Sequence, residues 1–268
     1  MSIPSPHLND FQSARKIEKA QTRMLWVATG LALLSFALSN ANIQLFITEN
    51  GLVEIAGYVK KTSNVLISVM AVIYSILEFI VLLYFDAGGK KKRNDLIDNS
   101  FGSNLNGIKS VGYFSNSGLR DGLYKLAVNC FESSYFTATI VSNMLLKKWV
   151  ATGSLVIAIL LSVFSGNLGV LNSIIQLSIT GIILQQTIKL QWYYFKMNQI
   201  NQDFKVLFNN LMNAADGTDN NAEILRNVLN YECGHAWGCV LNDSDIYKKL
   251  NPKMTQDWED IKRNYKIQ

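Results

Sequence analysis

The chain has 268 residues, 49% of them hydrophobic and only 17% charged, with a formal net charge of +5 at neutral pH. Its mean hydropathy is slightly positive, the intermediate profile of a chain that keeps one part in lipid and another in water. Three cysteines, Cys130, Cys233 and Cys239, are too few and too unevenly placed for a secreted disulfide framework, and they point to a reducing compartment.

In chain order, residues 1–23 carry Arg15, Lys16, Lys19 and Arg23 and are predicted to form a cytosolic N-terminal helix. No small-residue cleavage pattern follows the first apolar run, Met24 to Ile47, which therefore reads as an anchor and not a signal peptide. Further apolar runs cover Val65 to Tyr84, Trp149 to Phe164 and Leu168 to Leu190. A bilayer core of ~30 Å takes about 20 helical residues, so four spans are expected, the third a short one. Prolines occur only at 4, 6 and 252, so none kinks an apolar run. Between spans three and four, "SGNLG" (165–169) leaves room only for a tight helical hairpin. The expected organisation is spans one and two in 24–85, a basic cytosolic middle segment in 86–148, the hairpin of spans three and four in 149–190, and a cytosolic helical C-terminal region in 191–268.

Positive charge stays on the cytoplasmic side. Lys and Arg number four in 1–23, two in 48–62, nine in 86–148, none in the hairpin link and ten in 189–268, so both termini are expected to be cytosolic. The fold class read from this is an all-α, multi-pass membrane protein with four transmembrane helices and a helical cytosolic portion. Acidic residues then separate the two cytosolic segments: 189–268 is balanced, ten against ten, whereas 86–148 is net +4. An anionic ligand or lipid is best sought in the middle segment.

Span four does not stop at the membrane. Its sequence continues in helix formers to the break at "DGTDN", and Ile200, Phe204, Leu207 and Leu211 recur at steps of 4, 3 and 4. One long helix with self-association along it is predicted, and hence a homo-oligomer.

Lys90, Lys91, Lys92 and Arg93 directly follow "DAGG". A juxtamembrane basic run is foremost a topology signal and a contact for anionic lipid headgroups. The Asn-, Ser- and Gly-rich stretch behind it, with Lys109, Arg120 and Lys125, adds the amides and dispersed cations that suit a nucleotide or oligonucleotide. "GSNLNGIKS" (102–110) is not a Walker loop, because Ile108 separates the second glycine from the lysine. Asp95 and Asp98 read as capping or ion-pairing residues ahead of a cation site. "CGHAWGC" (233–239) has two sulfurs and an imidazole without a zinc spacing or a fourth ligand, and reads as packing. With His7 and His235 the only histidines and no catalytic constellation, no enzyme activity, metal or cofactor is expected. Inside the spans, Glu78 is the one ionisable residue, and Asn172, Gln176 and Thr180 share one helical face; these four are the candidate pore-lining residues.

Taken together, "ARKIEKAQTRM" running into span one, "RNDLIDNSFGSNL" after span two, "LAVNCFESSYFTATIVSNMLLKKW" entering span three and the tight hairpin resemble the four-transmembrane effectors found beside bacterial nucleotidyltransferases that make second messengers in anti-phage operons of the CBASS kind. The resemblance implies an effector that assembles in the inner membrane and, opened or held shut by a nucleotide from the partner nucleotidyltransferase, permeabilises it. A non-conducting scaffold that binds lipid or protein is the competing class.

Overall fold

The computed structural model describes residues 8–107, 114, 116–164, 170–213 and 220–267; the side chains of 41, 158–164 and 170–180 lie outside that description. Among the described residues every regular element is a helix: α1 (Leu8–Ala37), α2 (Ala41–Glu49), α3 (Val53–Phe101), α4 (Leu123–Phe164), α5 (Val170–Asn213), α6 (Asn221–Gly238) and α7 (Ser244–Asn264). The expected all-helical class is what is found.

The N-terminal helix does run into the first apolar stretch, but Met24 to Ile47 is not one straight span. α1 ends at Ala37, and Asn40 starts α2 by accepting the Asn42 N–H at 3.1 Å. An Asn side chain supplies the acceptor that the first helical amides lack, which makes this a point where a new helix begins. α3 passes through Gly88 and Gly89 and the four basic residues without a break, and ends only at Phe101. Gly102, at φ +69°, takes the left-handed conformation after the last turn. Asp98 then gathers the loop, accepting from Ser103 Oγ (2.7 Å), Leu105 N (2.7 Å) and Asn106 N (3.1 Å).

At 1.5 Å per residue, the 49 residues of α3 and the 44 of α5 come to ~74 and ~66 Å, more than twice a hydrocarbon core. The expected long helix at span four is present as α5. Two helices among the described residues, α3 and α4, are long and apolar enough to cross a membrane, and a third counts if the bent pair α1 and α2 is one span. The hairpin link 165–169 lies outside the described residues.

The chain divides into two compact units. The first comprises Met1–Ala14, Leu82–Leu146 and Lys189–Gln268, the second Arg15–Val81 and Lys147–Ile188. α1, α3, α4 and α5 each contribute to both. The first unit has a packed apolar core. Phe131 stacks on Phe204 and Phe208 with ring centroids 5.7 and 5.4 Å apart, and meets Trp258 edge-on at 5.2 Å. The second unit is turned out. Among the described residues its buried apolar cluster comprises Ala28, Ala32 and Ile67 with Leu31, Met70 and Ile183 against them. Trp26, Val65, Val69, Val72, Ile76 and Phe79 are exposed, and only 17% of the most apolar stretch of α3 is buried. So much bare apolar surface is stable in lipid and not in water.

The core of the first unit corrects the reading of the α5 stripe. Ile200, Phe204 and Leu207 are fully buried within this one chain, and Leu211 packs against the same cluster. The face that was expected to need a second copy is already covered by α4, α6 and α7, so the stripe is not an argument for self-association.

Candidate functional site

On a helix, successive residues point about 100° apart, so four consecutive cations cannot close on one phosphate. The first unit sends them to different partners. Lys90 is exposed. Lys91 pairs with Asp10 of α1 at 2.7 Å. Lys92 turns inward and donates to Tyr231 Oη at 3.1 Å and to His235 Nε2 at 3.2 Å, while Arg93 is half-buried. Of the remaining predicted ligand residues, Lys109 lies outside the described residues, Arg120 is exposed, and Lys125 is buried at the start of α4. Asp121, itself 54% exposed, holds the Lys125 ammonium at 3.0 Å.

Around Lys125 the end of α3 and the start of α4 are joined by an amide network. Asn129 donates to Asn99 Oδ1 (2.9 Å) and Ser100 Oγ (3.1 Å). Asn116 donates to Asn129 Oδ1 (2.9 Å) and Glu132 Oε2 (2.7 Å), and its own buried Oδ1 has no hydrogen-bond partner. The Gly122 N–H reaches Ser100 O at 2.8 Å. Asn106 ties the loop to Asp95 Oδ1 (2.7 Å) and to Lys91 O (2.8 Å). Asp95 and Asp98 thus fix the loop, consistent with a structural duty for that pair. The result is a dense set of fixed amide and carboxylate groups beside one buried ammonium whose counter-ion faces solvent.

"CGHAWGC" does something its spacing did not announce. Cys233 is exposed and Cys239 half-buried, and among the described residues no three His, Cys, Asp or Glu side chains form a group able to hold a metal. The glycines are the packed residues. A Cβ on Gly234 would stand 2.8 Å from Ile200 Cδ1 and 2.9 Å from Met197 Cε, and one on Gly238 would fall inside the Tyr193 ring contact. Two glycines four apart let α6 lie directly on α5. His235, between them, stacks on Tyr231 at 6.2 Å and meets Phe85 edge-on at 5.7 Å. An ammonium has only donors, so His235 Nε2 accepts from Lys92 and the proton sits on Nδ1, 3.0 Å from Tyr193 Oη. Burial, then the Lys92 and Arg93 charges, hold this imidazole well below its ordinary pKa. Burial pushes neighbouring Glu232 up, against the same two cations.

In the second unit Glu78 is half-buried and accepts from Gln21 Nε2 of α1 at 3.1 Å, a nitrogen that also reaches Tyr74 O at 3.2 Å. Gln186 of α5 donates to Tyr74 Oη, and the Thr152 and Thr187 hydroxyls share a 2.7 Å hydrogen bond between α4 and α5. These are interhelical polar contacts of the kind that hold helices together in lipid. The side chains of Asn172, Gln176 and Thr180 lie outside the described residues. No family model, curated protein or solved structure matches this chain.

Proposed function

We propose that this protein is an anti-phage effector of the bacterial inner membrane, with four spans and both termini cytosolic, that conducts ions as a homo-oligomer under control of a nucleotide or oligonucleotide from a partner nucleotidyltransferase. The observation that supports it is the continuity of α3, α4 and α5. Each belongs both to a unit with a bare apolar exterior and to a unit with a packed apolar core. A ligand that acts on one of these helices in the first unit acts on a helix that also belongs to the spans, which is the continuity a gated pore needs. The homo-oligomer is part of this reading because a bundle of four helices fills its own centre with side chains, so that a hydrated path needs more than one copy.

Lys125 is the residue on which the ligand reading rests. A phosphate can take the place of Asp121, because that carboxylate is largely in solvent while the ammonium it balances is buried. Arg120 is exposed on the same turn, and Asn116 Oδ1 is the buried acceptor of the adjoining amide network that has no hydrogen-bond partner. Lipid binding without conduction is the alternative. Flux of a trapped ion from liposomes holding the purified protein separates the two. A signal-dependent flux supports the effector, and retention of the ion with and without nucleotide supports the scaffold.

A further inference from the structure

We propose that the C-terminal end of α6 is a membrane-docking surface, with Trp237 seated in the headgroup layer and Trp192 and Phe195 of α5 at the same level. α6 packs antiparallel on α5, since Gly234 faces Met197 and Ile200 while Gly238 faces Tyr193. Its last turn therefore points towards the place where the apolar run of α5 ends, at Leu190. On α3 the same turn meets Phe85 through His235, one residue past the end of that helix's apolar run at Tyr84. Two separate helices thus set the tip of α6 within a turn or two of the apolar boundary.

The residues left bare there are of the type that boundary selects. Trp237 is 80% exposed, Phe195 61% and Trp192 45%. A large indole left bare in water is costly, whereas the headgroup layer accepts both its apolar ring and its N–H. Cations complete the match. Lys90 is exposed, and Lys189 and Lys196 are half-buried on α5 nearby, so the surface complements anionic lipid. Leu225 and Leu229 are exposed on α6 as well, but they precede Trp237 by about 18 and 12 Å of helix and belong to the aqueous side.

This inference rests on the reading of α3 as a membrane-crossing helix, and the test keeps the two apart. Full-length protein with Cys130→Ala, Cys233→Ser and Cys239→Ser receives one cysteine at position 237, 225 or 72, carries a fluorescent label there, and is reconstituted in liposomes containing phosphatidylglycerol. Quenchers are iodide in water and lipids spin-labelled near the headgroup or deep in the chain. The label at 237 should lose most of its emission to the shallow lipid quencher and little to iodide, the label at 225 the reverse, and the label at 72 should respond to the deep quencher. If 72 responds and 237 behaves like 225, the docking surface is refuted while the membrane reading stands. If 72 also answers to iodide alone, both fall. Native protein provides the second arm: shallow brominated lipid should quench wild type more than Trp237→Phe, and equal quenching refutes the proposal.

Discussion

Gly238→Ala tests whether α6 is held against α5 as tightly as the packing implies. The added methyl falls inside the contact distance of the Tyr193 ring, and that ring cannot swing aside freely. It is fully buried and its hydroxyl is 3.0 Å from His235 Nδ1. Overpacking of this kind costs about 1–3 kcal/mol, and disturbing the hydrogen bond adds roughly 1 kcal/mol. The intrinsic gain of Ala over Gly returns at most ~1 kcal/mol. A net loss of about 2 kcal/mol lowers the midpoint of thermal unfolding by roughly 4–8 °C for a body of this size. Gly89→Ala is the internal control, because no atom lies within 4 Å of a Cβ there and α3 continues past it. It should be neutral or gain up to ~1 kcal/mol. The assay is thermal unfolding in detergent followed by intrinsic fluorescence. If Gly238→Ala melts with wild type, or Gly89→Ala is the more damaging of the two, the packing argument is wrong.

Leu207→Ala removes a fully buried side chain and should cost about 2–5 kcal/mol without changing the mass of the detergent-solubilised particle; a loss of mass at unchanged stability would restore the stripe as an oligomer seam. His235 should make stability depend on pH. Its folded pKa lies below the unfolded value near 6.5, so its contribution is full above that pH and is lost as pH falls, by up to ~1.4 kcal/mol per pH unit. Glu232, raised by burial, acts in the opposite sense, so the term is read as the difference from His235→Gln, whose denaturation midpoints should fall less between pH 7 and 5.5. Lys125→Gln should reduce nucleotide binding at least tenfold and Asp121→Asn should strengthen it, measured by calorimetry; identical affinities would move the ligand site elsewhere.

The sequence made the long α5 legible, because nothing in residues 170–213 breaks a helix and the apolar run flows into helix formers. Its stripe was read with the right period and the wrong partner. Periodicity says that a face is covered, not by what, and the covering residues Phe131 and Trp258 are remote in sequence. Gly88 and Gly89 sit inside α3 although glycine disfavours helix interiors. Tertiary contact overrides that preference, since the bare backbone at Gly88 receives the Phe11 ring, 2.9 Å from where a Cβ would stand. In "CGHAWGC" the eye goes to the sulfurs, yet the four-residue glycine spacing was the signal with structural content. The amide network had a compositional trace in the Asn-rich stretch; which amides meet depends on the return of α4, which no local pattern encodes. Lys92 with His235 was invisible for the same reason, and the α1 break at Asn40 was masked by the apolar residues on both sides.

Single-channel recording from planar bilayers fused with liposomes of the purified protein tests the central claim most directly, with the product of the partner nucleotidyltransferase added to and washed from the chamber that the first unit faces. The account predicts unitary currents whose open probability changes with nucleotide and returns on washing. Inserted protein that passes no current at any nucleotide concentration, or current indifferent to nucleotide, would contradict it.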